Sequence, residues 1–282
     1  MNTGPDEPGP GRDDLAETLR ALRRAAGLSG ERLAVRCAMS QAKISRIEGR
    51  KITPSVADVE RILVALEVPR GVADDLVALA RRVNVQHTSW RAAARIGLWR
   101  KQDELRVLAD SSKTIRQFLP AMPSGLLQTE HYARAALSPM VSTDPARDVD
   151  KAVGARLRRQ ETLDDLDRRF LFVLTEQAVR WRYAGPPVMA AQCRHMADVA
   201  ERPNVDLSVV PRFGETPGGP LNTFVVYDHR LVLAELFSGE IALRDARDIA
   251  HHLEVFDFFR SRALSGADAA AFLRFVAKEF TD

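Results

Sequence analysis

The sequence predicts a mainly α-helical N-terminal domain of about five helices followed by an α+β C-terminal domain. Three observations carry this expectation. Between residues 13 and 84, apolar residues recur at helical spacing in short segments that serines open and glycines close. Beyond residue 85, runs rich in β-branched and aromatic residues alternate with longer helical stretches. A chain of 282 residues with 45% hydrophobic content also has enough apolar material for two ordinary cores.

Residues 1–12 carry Gly4, Pro5, Pro8, Gly9, Pro10 and Gly11 without an apolar core, so a disordered tail is expected there, not a secretory leader. Leu15, Leu19, Leu22 and Ala26 then mark one face of a first helix, with Gly27 where a C-capping glycine belongs. Ser29 is placed to cap a second helix whose inward positions are Leu33, Ala34 and Cys37. After a turn through Ala38 and Met39, Ser40 caps a third helix with Ile44 and Ile47 inside. Met39 is expected to staple onto Ile44, and Gly49 to end the helix. Thr53-Pro54-Ser55 opens a fourth helix, with the proline read as part of its first turn and Val56, Val59, Ile62, Leu63 and Leu66 facing inward. A fifth helix is expected over residues 72–83.

In the region 85–282 the expected helices cover residues 101–109, 128–137, 147–166, 188–201, 243–263 and 267–280. Strands are expected at 114–119, 170–175, 205–211, 223–227 and 231–237. Gly214 to Pro220 reads as an exposed loop, and Asp228-His229-Arg230 as a hairpin turn.

Several functions are not expected. No apolar run approaches the length of a membrane-spanning helix, so a cytoplasmic protein is expected. Cys37 and Cys193 are too few for a disulfide scaffold or a thiolate zinc site. His251-His252 point in different directions on a helix, so no metal is expected, and no cofactor. Gly214 to Pro220 lacks the Lys-Ser/Thr of a phosphate loop, and Ser124-Gly125 lacks a nucleophile-elbow setting. No enzyme is expected. Trp90, Trp99, Trp181 and Tyr183 read as packing groups, not as a ligand cage.

Charge points elsewhere. The net charge is only +3, but nine basic against two acidic residues between Arg20 and Lys51 give that stretch a local excess of +7. Two short helices joined by a tight turn form a helix-turn-helix, which seats its second helix in the major groove of DNA. With Ile44 and Ile47 inward, the third helix presents Gln41, Ala42, Ser45 and Arg46 outward. A glutamine amide suits an adenine edge and an arginine fork suits guanine, while small residues allow close approach or contact with a thymine methyl. Ser29, Ser40, Lys43, Arg50 and Lys51 are the residues expected at phosphates.

The run AAGLSGERLAVRCAMSQAKISRIEGRKITPS within Leu22 to Ser55 resembles the phage-repressor-like (XRE-type, lambda-repressor-like) helix-turn-helix family. The resemblance implies that Ser40 to Glu48 is the recognition helix and that Arg23 and Glu48 form a structural ion pair. The sequence departs from the family pattern at four positions. Gly30 stands where glutamine is usual, Ala38 replaces a turn glycine, and Gly49-Arg50 replaces Asn-Gly. The runs SGLLQTEHYARAAL, RLRRQETL and VMAAQCRHMADVAERPNVDLSVVP resemble a domain of unassigned activity fused to such modules in actinobacterial regulators, over roughly residues 90 to 280. Such proteins are described as toxin–antitoxin-like or developmental regulators, which implies a small protein partner encoded nearby.

The expectation is therefore a sequence-specific transcription regulator that binds double-stranded operator DNA as a homodimer. Its C-terminal domain would mediate dimerisation and sense a partner or effector. Two alternatives stay open: an antitoxin-like interaction protein that autoregulates, and a small-molecule-sensing regulator.

Overall fold

A computed structural model describes residues 10–141, 148–213 and 217–282, which form two compact units. The first holds the described residues up to Gln86 together with Ala242–Asp248. The second holds residues 87–241 and 249–282. The first unit thus extends two residues past the expected boundary at 84 and takes in a short segment from far along the chain.

In the first unit, α1 (Pro10–Ala25), α2 (Gly30–Arg36), α3 (Gln41–Glu48), α4 (Val56–Ala65) and α5 (Arg70–Asn84) follow one another through short turns. Leu15, Leu19, Leu33, Ile44, Ile47, Val59, Ile62 and Ala80 meet in one core, against which Leu22, Met39 and Ile52 pack. Gly27 takes the left-handed conformation expected of a C-capping glycine (φ 66°).

Two details differ from the sequence expectations. Residues 10–12 belong to α1 and not to a tail, while residues 1–9 lie outside the described residues. Pro54 precedes α4, because Ser55 is the N-cap: its hydroxyl accepts from Asp58 N while the Asp58 carboxylate accepts from Ser55 N. Gly49 ends α3 as expected, at φ −84°, and the left-handed residue is the following Arg50 (φ 60°). Gly49 answers a different need, since a Cβ there would lie 2.9 Å from the Ser45 carbonyl oxygen.

The rest of the chain supplies β1 (Val85–Ser89), α6 (Trp90–Ile96), α7 (Leu98–Asp110), β2 (Thr114–Leu119), α8 (Glu130–Leu137), α9 (Val149–Gln160) and β3 (Arg169–Thr175). It continues through α10 (Glu176–Arg180), α11 (Pro186–Val199), β4 (Val205–Val210), β5 (Phe224–Tyr227), β6 (Leu231–Leu236), β7 (Gly239–Leu243), α12 (Ala246–Arg260), β8 (Leu264–Ser265) and α13 (Gly266–Glu279). The strands form one eight-stranded mixed sheet in the order β1-β7-β6-β5-β2-β3-β4-β8. β2, β3 and β4 run parallel, with Ile115 opposite Phe170 and Phe170 opposite Val205. β5 and β6 form an antiparallel hairpin beside β2, turned at Asp228 (φ 51°) as the Asp-His-Arg run predicts.

The helix expected over residues 147–166 is shorter, because Asp148 caps it and Glu161–Asp164 tightens into a 3₁₀ turn; Arg147 lies outside the described residues. The helix expected from residue 243 starts at Ala246, since residues 239–243 are drawn into β7. Gly239 allows that pairing: a Cβ there would lie 2.2 Å from the Thr88 carbonyl oxygen. Of the expected loop Gly214 to Pro220, residues 214–216 lie outside the described residues, and 217–220 form no helix or strand. On one side of the sheet Phe118 stacks on Phe259 of α12 with ring centroids 4.5 Å apart.

Candidate nucleic-acid interface

The turn between α2 and α3 sets the direction of α3. Ser29 Oγ accepts from Arg32 N at 3.1 Å and Ser40 Oγ from Lys43 N at 3.2 Å, so each helix starts on a satisfied donor. Ala38 takes a left-handed conformation (φ 51°) in the turn where the family pattern has glycine. Met39 N bonds back to Ala34 O at 2.9 Å, which closes the turn.

α3 is anchored by Ile44 and Ile47, which are 1% and 0% exposed. Its other face presents Gln41, Ala42, Ser45 and Arg46, all exposed. The side chains of Gln41, Ser45 and Arg46 make no hydrogen bond or ion pair among the described residues, and neither does that of Lys51. The face therefore keeps an amide, a hydroxyl and a guanidinium whose hydrogen-bonding groups are unspent.

Other cations near α3 are engaged. Arg23 clamps Glu48 through Nε to Oε1 at 2.6 Å and Nη2 to Oε2 at 2.8 Å, and donates from Nη1 to Leu28 O at 2.7 Å. This bidentate pair ties the end of α3 to α1, and the bond from Glu48 holds the Arg23 pKa above its ordinary value against the opposing effect of burial. Lys43, expected at a phosphate, gives its ammonium to Asp58 Oδ1 at 2.7 Å. Arg50, also expected at a phosphate, reaches Glu17 at 3.0 Å and Asp13 at 3.6 Å on α1. Both cations act within the unit as well as adding to its positive field.

Asp58 is not among the residues expected at the site. It is 3% exposed and accepts from Ser55 N, Lys43 Nζ and Arg61 Nη2, so one carboxylate starts α4 and holds α3 beside it. Burial works to raise its pKa, but the bonds from Lys43 and Ser55 outweigh burial and leave it below the ordinary carboxylate value. Ser55-x-x-Asp58 is a capping-box pattern that a reader of the sequence could have found. A second carboxylate at the same helix start has no such signal. Asp245 Oδ2 accepts from Val56 N at 2.9 Å across 189 residues of sequence.

Residues 14–76 match the family described as a helix-turn-helix domain. Residues 102–274 match the family described as a domain of unknown function (DUF5753). No curated protein matches the chain. Among solved structures, the chain is similar to the phospholipase D family member Nuc from Salmonella typhimurium, with TM-score 0.34 and 15% identity over 64% of this chain and 96% of that one. It is similar to NucT from Helicobacter pylori with TM-score 0.38 and 8% identity, over 64% and 97% of the two chains. It is also similar to the archaeal chromatin protein TrmBL2, with TM-score 0.34 and 12% identity over 89% and 98%. Likenesses at these scores carry no argument about function. Among the described residues, no helix is long and apolar enough to cross a membrane.

Proposed function

The chain belongs to the family described as a domain of unknown function (DUF5753) and carries a helix-turn-helix domain before that region, and from this premise we propose that it is a sequence-specific DNA-binding transcription regulator. It acts as a homodimer on operator DNA. α3 enters the major groove, Gln41 and Arg46 read base edges, and Ala42 and Ser45 keep the helix close to them. Ser29, Ser40 and Lys51 meet phosphates, with Lys43 and Arg50 contributing their charge from their places beside Asp58 and beside Glu17 and Asp13.

The observation that carries this reading is the division of α3 into a face sealed by Ile44 and Ile47 and a face of unpaired polar groups. One such module makes few phosphate contacts, so two-fold symmetry is the route to useful affinity, with half-sites ~34 Å apart.

The test is an electrophoretic mobility assay on the DNA upstream of its own gene. Gln41→Ala and Arg46→Ala are each expected to weaken binding about tenfold or more, the range of one lost bidentate base contact. Lys51→Ala should weaken it less and reduce the slope of log affinity against log salt by about 1. Equal binding by wild type and the Gln41→Ala/Arg46→Ala double variant would defeat the proposal. A footprint over a single half-site would remove the homodimer from it.

A further inference from the structure

We propose that the second unit contains a binding site for a small organic anion, a carboxylate or phosphate on an apolar body, whose charge is received by Arg156 and Arg159 inside a cavity on one face of the sheet. The cavity measures about 1,020 Å³, at the upper end of the ~300–1,000 Å³ of small-molecule sites. Its floor is the sheet face that carries Gln117, Tyr227 and Glu235, and its walls come from α7, α8, α9 and the loop before α8.

Arg156 and Arg159 lie three residues apart on α9 and so share a face of it. Both guanidinium groups come to Gly125: a Cβ built there would meet Arg159 Nη2 at 2.5 Å and Arg156 Nε at 3.1 Å. The missing side chain of Gly125 is what leaves them room. Arg159 is 8% exposed and makes no hydrogen bond or ion pair among the described residues, and its Nε is buried without a partner. Arg156 gives Nη1 to Gln128 Oε1 at 2.6 Å, but its Nε is likewise buried and unpartnered.

Two neighbouring cations inside a protein, neither held in an ion pair among the described residues, are a costly arrangement. Burial, then the charge of Arg159, pushes the Arg156 pKa down to about 9. The carboxylates at the cavity offset this only in part. Glu240 is paired with Lys101. Glu235 lines the cavity and acts on both arginines at a distance, but it forms no ion pair among the described residues, and burial, then the charge of Glu240, raises its pKa, which weakens it as a counter-charge. An anionic occupant would supply the missing charge and accept from the guanidinium groups that line the cavity. The remaining lining is largely apolar, with Leu105, Leu119, Met122 and Leu233 among it, which suits a hydrocarbon or aromatic body better than a bare inorganic ion. Trp90 and Tyr183, read from sequence as packing groups, also line this cavity.

The test is isothermal titration of the full chain, in the absence of DNA, with phenyl phosphate, phenylacetate and the neutral 2-phenylethanol. Saturable binding of one or both anions, with none of the neutral compound, is expected, and the better anion names the headgroup. Arg156→Gln and Arg159→Gln should each weaken that binding at least tenfold, and Gly125→Ala should do the same by displacing Arg159. Removing an unpaired buried cation should leave the melting temperature of the ligand-free protein unchanged or raised. Failure of both anions to bind the wild type, retained binding in the Arg156→Gln/Arg159→Gln double variant, or a lower melting temperature in both single variants would each overturn the proposal. Because DNA takes no part, this outcome is independent of the mobility assay.

Discussion

The Arg23–Glu48 clamp shows how a single pair of residues sets the pose of the candidate reading helix. Their side chains are 13% and 12% exposed, so each loses most of its hydration and is compensated chiefly by the other, with Leu28 O taking one further Arg23 donor. Glu48→Gln leaves the Arg23 charge facing a neutral amide, and a loss of about 3 kcal/mol in urea unfolding of the first unit is expected. The Arg23→Met/Glu48→Leu double variant should lose less than either single change, because no charge is stranded; a larger loss would show that the pair itself supplies net stability. Asp58 adds a pH dependence of definite sign. Its folded pKa lies below the ordinary 3.8, so it contributes stability that is fully present above that value and disappears as pH falls through the lowered folded value. The stability gap between wild type and Asp58→Asn should therefore be constant near neutrality and close in acid below 3.8. A gap independent of pH would mean that the carboxylate's charge is not what the site uses.

At the scale of elements, the turns decide as much as the helices. Ala38 holds a left-handed conformation that disfavours residues with a Cβ by about 1–2 kcal/mol, while glycine gives back up to about 1 kcal/mol in chain entropy. Ala38→Gly is thus expected to stabilise the first unit by about 0.5–1 kcal/mol, measurable as a raised urea midpoint; a lowered midpoint would show that the alanine methyl contributes packing. Gly49→Ala should act in the opposite direction, since its Cβ would press on the Ser45 carbonyl within α3. Element by element, the legible parts were those with strong local signals. Serine caps fixed the starts of α2 and α3, and β-branched runs placed β2 at Thr114–Leu119, as expected. β1 and β7 were missed for a physical reason. β1 is a short edge strand whose Val85-Gln86-His87-Thr88 run is exposed throughout and shows no alternation, and β7 starts on a glycine chosen for close backbone approach and not for strand propensity.

At the scale of the whole molecule, what sequence cannot supply is the meeting of residues far apart along the chain. The outward face of α3 follows from its own periodicity, but the engagement of Lys43 by Asp58, the convergence of Arg156 and Arg159 on Gly125, and the place of Asp245 at the start of α4 each need tertiary structure. Asp245 gives the sharpest test of that last class. It lies in Ala242–Asp248, the segment that joins the first unit from a part of the chain otherwise belonging to the second, and it is 6% exposed. Val56 N is one of the orphan donors of a helix start, and Ser55 already spends its hydroxyl on Asp58 N. Asp245 therefore satisfies a donor that no local side chain reaches, and its negative charge also suits the positive end of α4. Asp245→Ala strands that donor in a buried position and should cost about 1–3 kcal/mol in the first unit. Asp245→Asn keeps an acceptor and should cost less. Amide hydrogen exchange reads the contact directly: in Asp245→Ala the Val56 amide should exchange much faster, while amides in β3 keep their protection. Unchanged exchange at Val56 would mean that α4 starts without Asp245, and that residues 242–248 are dispensable to the unit that bears α3.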